Sequence, residues 1–113
     1  MRVVGICQDE LVIRTLDDVL KGSFELDFFV ESRPLARRLH EAGINTMVGD
    51  PRRVDTYLKA DISPTTCFIV EDNGKRSVRK ILAAIRDAGG TLTYVIHTGA
   101  GVKPRNSEAL KAE

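Results

Sequence analysis

Residues 3–11, Val3-Val4-Gly5-Ile6-Cys7-Gln8-Asp9-Glu10-Leu11, decide how the chain is read. A β-branched run, a glycine and a polar turn lead into Leu11, Ile13, Leu16, Val19 and Leu20, spaced more like a helix than a strand, until Gly22. That strand–turn–helix unit recurs along the chain. Phe24 to Val30 alternates and then turns wholly apolar, as a strand does on entering a sheet covered on both faces. Ser32 is placed to cap a helix with Pro34 in its first turn, Leu35, Leu39 and Ala42 along one side and Gly43 at its end. Thr46-Met47-Val48 is a short third strand ending at Gly49-Asp50, and Pro51 opens a helix carrying Val54, Tyr57 and Leu58. Thr66 to Val70 is a fourth strand. The polar turn Glu71-Asp72-Asn73-Gly74 then leads to a helix with Val78, Ile81, Leu82 and Ile85, and Gly89-Gly90 precedes a fifth strand, Thr91 to His97.

Five strands alternating with four helices predict an α/β fold: a doubly wound sheet of five parallel strands, order 3-2-1-4-5, with helices on both faces. With 113 residues there is room for one such domain, placed at 1–97, and residues 98–113 read as a linker or tail because they lack apolar periodicity. Seventeen basic against 16 acidic side chains set up no global field, which argues against a nucleic-acid binder. No apolar run approaches the roughly 20 residues of a membrane span, and the N-terminus lacks the order of a signal peptide, so a cytoplasmic protein without membrane insertion is expected. Cys7 and Cys67 form no CxxC pair and are expected to be reduced core residues, with no metal site.

In an open parallel sheet, ligands gather outside the carboxyl ends of the strands, where the strand order reverses. The topology brings Gly5 to Glu10, Glu31-Ser32, Gly49-Asp50-Pro51 and Glu71-Asp72-Asn73 to that edge. The segments VVGIC at 3–7, FFVE at 28–31, VGD at 48–50, LKADI at 58–62 and FIVEDN at 68–73, in this order, resemble the TrkA N-terminal (RCK N-lobe) Rossmann domain family over residues 2–97. The resemblance implies a Rossmann-like regulatory module that binds NAD(H) or adenine nucleotides such as ATP and AMP. Such modules serve potassium channels and transporters, and similar ones precede DHH-type phosphoesterase domains. It places Gly5 at the tight turn, Ile6, Cys7 and Gln8 along the phosphate loop, and Glu31 on the ribose hydroxyls beside Ser32. Asp50 and Pro51 fall next to the adenine, and Glu71 near the ribose and phosphates.

The first loop departs from the GxGxxG pattern, in which the glycines make the turn, admit the pyrophosphate and let helix pack on strand. Only Gly5 remains; Cys7 and Glu10 occupy the second and third positions, with Cys7 expected to fill space a pyrophosphate needs. Asp9, a good N-cap, takes helix donors that an anion would use, and Glu10 and Glu71 add like charge. Arg33, Arg37 and Arg38 could receive a 2′-phosphate or form a solvated face. Arg52 and Arg53 would favour an acidic ligand near Asp50 or form exposed surface, and Lys75, Arg76, Arg79 and Lys80 make a local basic face that, without interleaved aromatics, is a weak nucleic-acid signal.

His40 and His97 stand apart from any nucleophile or metal-ligand spacing, so no catalytic residue is expected and catalysis is assigned to a partner domain. The expected function is nucleotide sensing within a larger protein, with AMP or another adenosine-like group favoured over NAD. A homodimer and a downstream domain or subunit are the expected partners. The alternative is a ligand-free dimerisation or docking module, presenting Leu11, Leu16, Ile81 and Ile85.

Overall fold

The computed structural model describes residues 1–74 and 77–98. The elements are β1 (Arg2–Ile6), α1 (Glu10–Leu20), β2 (Glu25–Val30), α2 (Arg33–Glu41), β3 (Thr46–Val48), α3 (Val54–Lys59), β4 (Cys67–Asp72), α4 (Val78–Asp87) and β5 (Leu92–His97). All four strand pairings are parallel, and the order is β3-β2-β1-β4-β5, as the strand and helix alternation predicts.

Side-chain alternation along the strands divides the core in two. Val4 and Ile6 of β1 join Phe29, Phe68, Val70 and Val95 under Tyr57 of α3 and Ile81 and Ile85 of α4. Val3 and Cys7 point the other way, with Leu26, Phe28 and Val30 under Ile13 of α1 and Leu35 and Leu39 of α2. Ile81 and Ile85 are therefore fully committed to the core and offer no docking surface. Leu16 packs against the second cluster, and only Leu11 of the four expected docking residues is well exposed.

Gly5 lies inside β1, opposite Phe28 of β2 and Ile69 of β4, and not in the turn. A Cβ at Gly5 would sit 2.5 Å from the Phe28 ring, so glycine here accommodates a cross-strand aromatic on the sheet surface. Two boundaries also differ from the sequence reading. Pro51 stands in a turn ahead of α3, because the Asp50 carboxylate accepts from the Arg52 N–H at 2.9 Å and holds the chain in a local turn. β4 runs on through Glu71 and Asp72, because β5 pairs with it up to Glu71↔Ile96 and Asp72↔His97.

Candidate functional site

The carboxyl edge brings the expected clusters together, and Gln8 is the joint between them. Its side-chain Oε1 accepts from the Glu31 N–H at 2.9 Å, tying the end of β2 to the β1–α1 turn. Its own N–H donates to Glu71 Oε1 at 2.8 Å, and the Asp9 N–H donates to the same oxygen at 3.2 Å. The second oxygen of Glu71 accepts from the Thr98 hydroxyl at 3.0 Å. Glu71 is 5% exposed, so a nearly buried carboxylate from β4 spans the mouth of the β1–α1 turn.

The next donors of the turn are taken in the same way. Asp9 caps α1 in extended backbone geometry, and its Oδ1 accepts from Leu11 N–H at 2.8 Å and Val12 N–H at 3.2 Å. Four backbone donors at the place where a Rossmann pyrophosphate rests thus serve two carboxylates of the chain itself. The N-cap role of Asp9 is as the residue type predicts. Glu71, by contrast, acts as a direct occupant of the loop and not merely as a neighbouring charge.

Cys7 does not obstruct the phosphate position. Strand alternation turns its side chain into the α1/α2 core, where it is fully buried beside Gly5. Burial, with Glu71 and Asp9 nearby, pushes its thiol well above the ordinary range, so it is held protonated. Ile6 is likewise a core residue on the opposite face. Gly5, Ile6 and Cys7 therefore support the edge from inside the sheet, while Gln8 is the first residue of the loop to reach it.

Glu10 turns away from the turn mouth. Its carboxylate accepts from Arg14 Nε at 3.0 Å and from Arg38 Nε at 3.1 Å, linking α1 to α2. These hydrogen bonds, Arg14 first and Arg38 second, hold its carboxyl below the usual range. Arg38 is thereby engaged, whereas Arg33 and Arg37 are exposed on α2. Ser32 caps α2, its Oγ accepting from the Leu35 N–H at 3.2 Å.

The β3 end forms a second cluster beside the first. Asp50 binds Arg52 through two guanidinium contacts of 3.1 Å each, and these hold its carboxyl below its ordinary value. Arg52 is held more firmly protonated by Asp50 and, more weakly, by the charge of Glu31, which places the ends of β2 and β3 within electrostatic reach. Pro51 is buried, and its carbonyl accepts from the Tyr57 hydroxyl. Asp72 accepts from the Gly74 N–H at 3.0 Å and faces His97 Nδ1 at 3.4 Å.

Thr98 takes part in this edge without having been singled out, and Arg52, read as either a ligand-facing cation near Asp50 or exposed surface, pairs with Asp50 itself. Thr98 falls in the expected tail, yet its N–H donates to the Asp72 carbonyl at 2.9 Å and its hydroxyl reaches Glu71. A hydroxyl directly after a strand that pairs with an acid-terminated neighbour was the available signal. Residues 99–113 of the expected tail, and Lys75 and Arg76 of the expected basic group, lie outside the described residues.

Chemically, the edge combines a neutral amide, Gln8, with the carboxylates of Glu31, Asp50 and Glu71 and the guanidinium of Arg52. Carboxylates at strand ends suit hydroxyl and amino donors, such as those of a ribose or an adenine. They disfavour phosphate. Among the described residues no three His, Cys, Asp or Glu side chains are grouped to hold a metal ion, and no helix is long and apolar enough to cross a membrane.

The chain matches no protein-family model and no curated protein sequence. Among solved structures it is similar to the crystal structure of the NAD(P)-binding domain of an exopolyphosphatase-related protein from Archaeoglobus fulgidus. The TM-score is 0.63 at 16% sequence identity, and the match covers 95% of this chain and 77% of that one. An identity this low speaks for fold alone. The five-stranded parallel sheet, its order and this likeness together make the chain a Rossmann-like α/β domain.

Proposed function

We propose that the chain is a nucleotide-sensing regulatory domain of a larger protein, of the TrkA N-terminal type that its motif segments resemble, and that it reads the adenosine end of its ligand. The observation that carries this reading is the Gln8 joint. It gathers the ends of β1, β2 and β4 at the switch point of a Rossmann-like sheet, while the neighbouring donors are closed by Glu71 and Asp9. Glu31 is assigned to the ribose hydroxyls and Asp50 to the adenine side. Adenosine or AMP is the preferred ligand class; ADP, ATP and NAD(H) must set their further phosphates against carboxylates.

Catalysis is assigned to a partner domain, since the edge offers hydrogen-bonding groups and no activated nucleophile. Of the two settings implied by the TrkA-N resemblance, the DHH-type phosphoesterase is favoured over potassium transport, because the similar solved domain comes from an exopolyphosphatase-related protein. Calorimetric titration with adenosine, AMP, ADP, ATP, NAD and NADH, with and without magnesium, tests the proposal. Adenosine and AMP are expected to bind more tightly than the diphosphates. Silence from all six would overturn nucleotide sensing and leave a docking module as the function.

A further inference from the structure

We propose that the outer edge of β5 is a docking site for an extended segment of a partner protein that alternates apolar and acidic side chains. Among the described residues the sheet has two edges. That of β3 is three residues long and offers little to pair with, whereas β5 runs for six residues, Leu92-Thr93-Tyr94-Val95-Ile96-His97. β5 contains no proline, lysine or acidic residue, and it pairs with β4 through six consecutive partners without a bulge. Proteins normally blunt such an edge by one of those devices or cover it, because its free N–H and C=O groups are a template for another strand.

The surfaces on either side of this edge are also open. On the α1 side, a groove of ≈ 410 Å³ is lined by Leu16, Leu20, Phe24, Ile69, Tyr94 and Ile96, among others. It exists because the cluster under α1 and α2 lies over β1 and β2 and reaches only as far as Cys67 and Ile69 of β4, and no described element covers β5 on that face. Tyr94 is 41% exposed as a result. On the α4 side, a trough of ≈ 790 Å³ has Leu82, Ala83 and Thr93 in its wall and Arg79 and Arg86 at its rim.

Those two arginines, seven residues apart, lie on one side of α4 about 10 Å from each other along the helix axis. Arg86 has a loose contact with Asp87 at 3.7 Å, both side chains largely in solvent. A strand added to β5 puts alternate side chains on opposite faces. One set meets the apolar groove and the other meets the arginines, so apolar and acidic residues in alternation match both sides. A second copy fits less well. Antiparallel pairing of two β5 edges about a two-fold axis sets α4 beside α4 and brings four arginines onto one seam.

The test uses two blocked peptides, one alternating valine and glutamate and one alternating valine and lysine, titrated into the isotopically labelled 113-residue chain. The valine–glutamate peptide is expected to shift the Leu92–His97 amides and to bind about tenfold more tightly than its lysine counterpart. The R79E/R86E double variant, on an exposed helix side, is expected to reverse that preference while keeping its circular dichroism. N-methylation of alternate peptide bonds should abolish binding, as strand pairing requires. Equal binding of the two peptides, unmoved β5 amides, or full binding by the N-methylated peptide would each overturn the proposal. So would a dimer in light scattering whose β5 amides are protected without peptide.

Discussion

Replacing Glu71 by serine should open the β1–α1 turn to phosphate at a measurable cost in stability. The wild-type carboxylate accepts three hydrogen bonds, from Gln8 N–H, Asp9 N–H and the Thr98 hydroxyl. Each bond to a charged group contributes about 1.5–3 kcal/mol, but relief of the buried charge offsets part of the sum, so Glu71→Ser should cost about 2–4 kcal/mol. Glu71→Gln keeps the length and an acceptor oxygen and should cost about 1–2 kcal/mol. On the ligand side, two unit charges about 4 Å apart at an effective dielectric of about 20 repel by roughly 4 kcal/mol. Half of that, allowing for the open edge, is about 2 kcal/mol, or roughly thirtyfold in affinity. Glu71→Ser should therefore bind ADP about thirtyfold more tightly than wild type, Glu71→Gln less so because the amide still fills the turn, and adenosine affinity should stay within about twofold. Chemical denaturation and calorimetry with ADP and adenosine measure all of these. If Glu71→Ser is as stable as wild type and binds ADP no better, the carboxylate does not hold the turn closed and the reasoning fails.

Three further outcomes follow from the geometry. Gly5→Ala should destabilise the domain by about 1–3 kcal/mol by driving a methyl into the Phe28 ring, and Phe28→Leu in the same chain should recover part of that loss in a denaturation double-mutant cycle. Asp9→Ala should cost about 0.5–2 kcal/mol through loss of the α1 cap, read by urea denaturation; an unchanged midpoint would contradict the capping geometry. The Cys7 thiol should resist a disulfide exchange reagent in the folded state and react on denaturation. Because burial raises its folded pKa above the ordinary thiol range, its contribution to stability is present below that range and is lost as pH rises beyond it, which denaturation across an alkaline series will show.

The architecture was legible because apolar runs of strand length alternate with helical spacings and short turns, and parallel order follows from crossover length. The Ser32 and Asp9 caps were legible for the same local reason: a short acceptor side chain precedes each helix. What escaped the sequence depends on neighbours remote in the chain. Glu71 and Asp72 look like a polar turn, yet β5 extends the ladder through them and aims Glu71 at the β1–α1 turn. Cys7 reads both as a reduced core residue and as a filler of the pyrophosphate position; it is the first, and one step of strand alternation turns it away from the second. Gly5 matches the first glycine of a phosphate loop in spacing, while its role in the sheet is set by Phe28, 23 positions later. Thr98 carried only the signal of a hydroxyl directly after a strand, since its role is set by Glu71 on the neighbouring strand.

Amide chemical shifts give the most direct test of a closed phosphate loop beside an open nucleoside edge. In a titration of the wild-type chain, adenosine should move the Glu31, Ser32 and Asp50 amides saturably. ADP at the same concentrations should leave the Gln8, Asp9, Leu11 and Val12 amides in place, because Glu71 and Asp9 hold them. Saturable movement of those four amides with ADP, more tightly than adenosine moves its own set, would contradict the account.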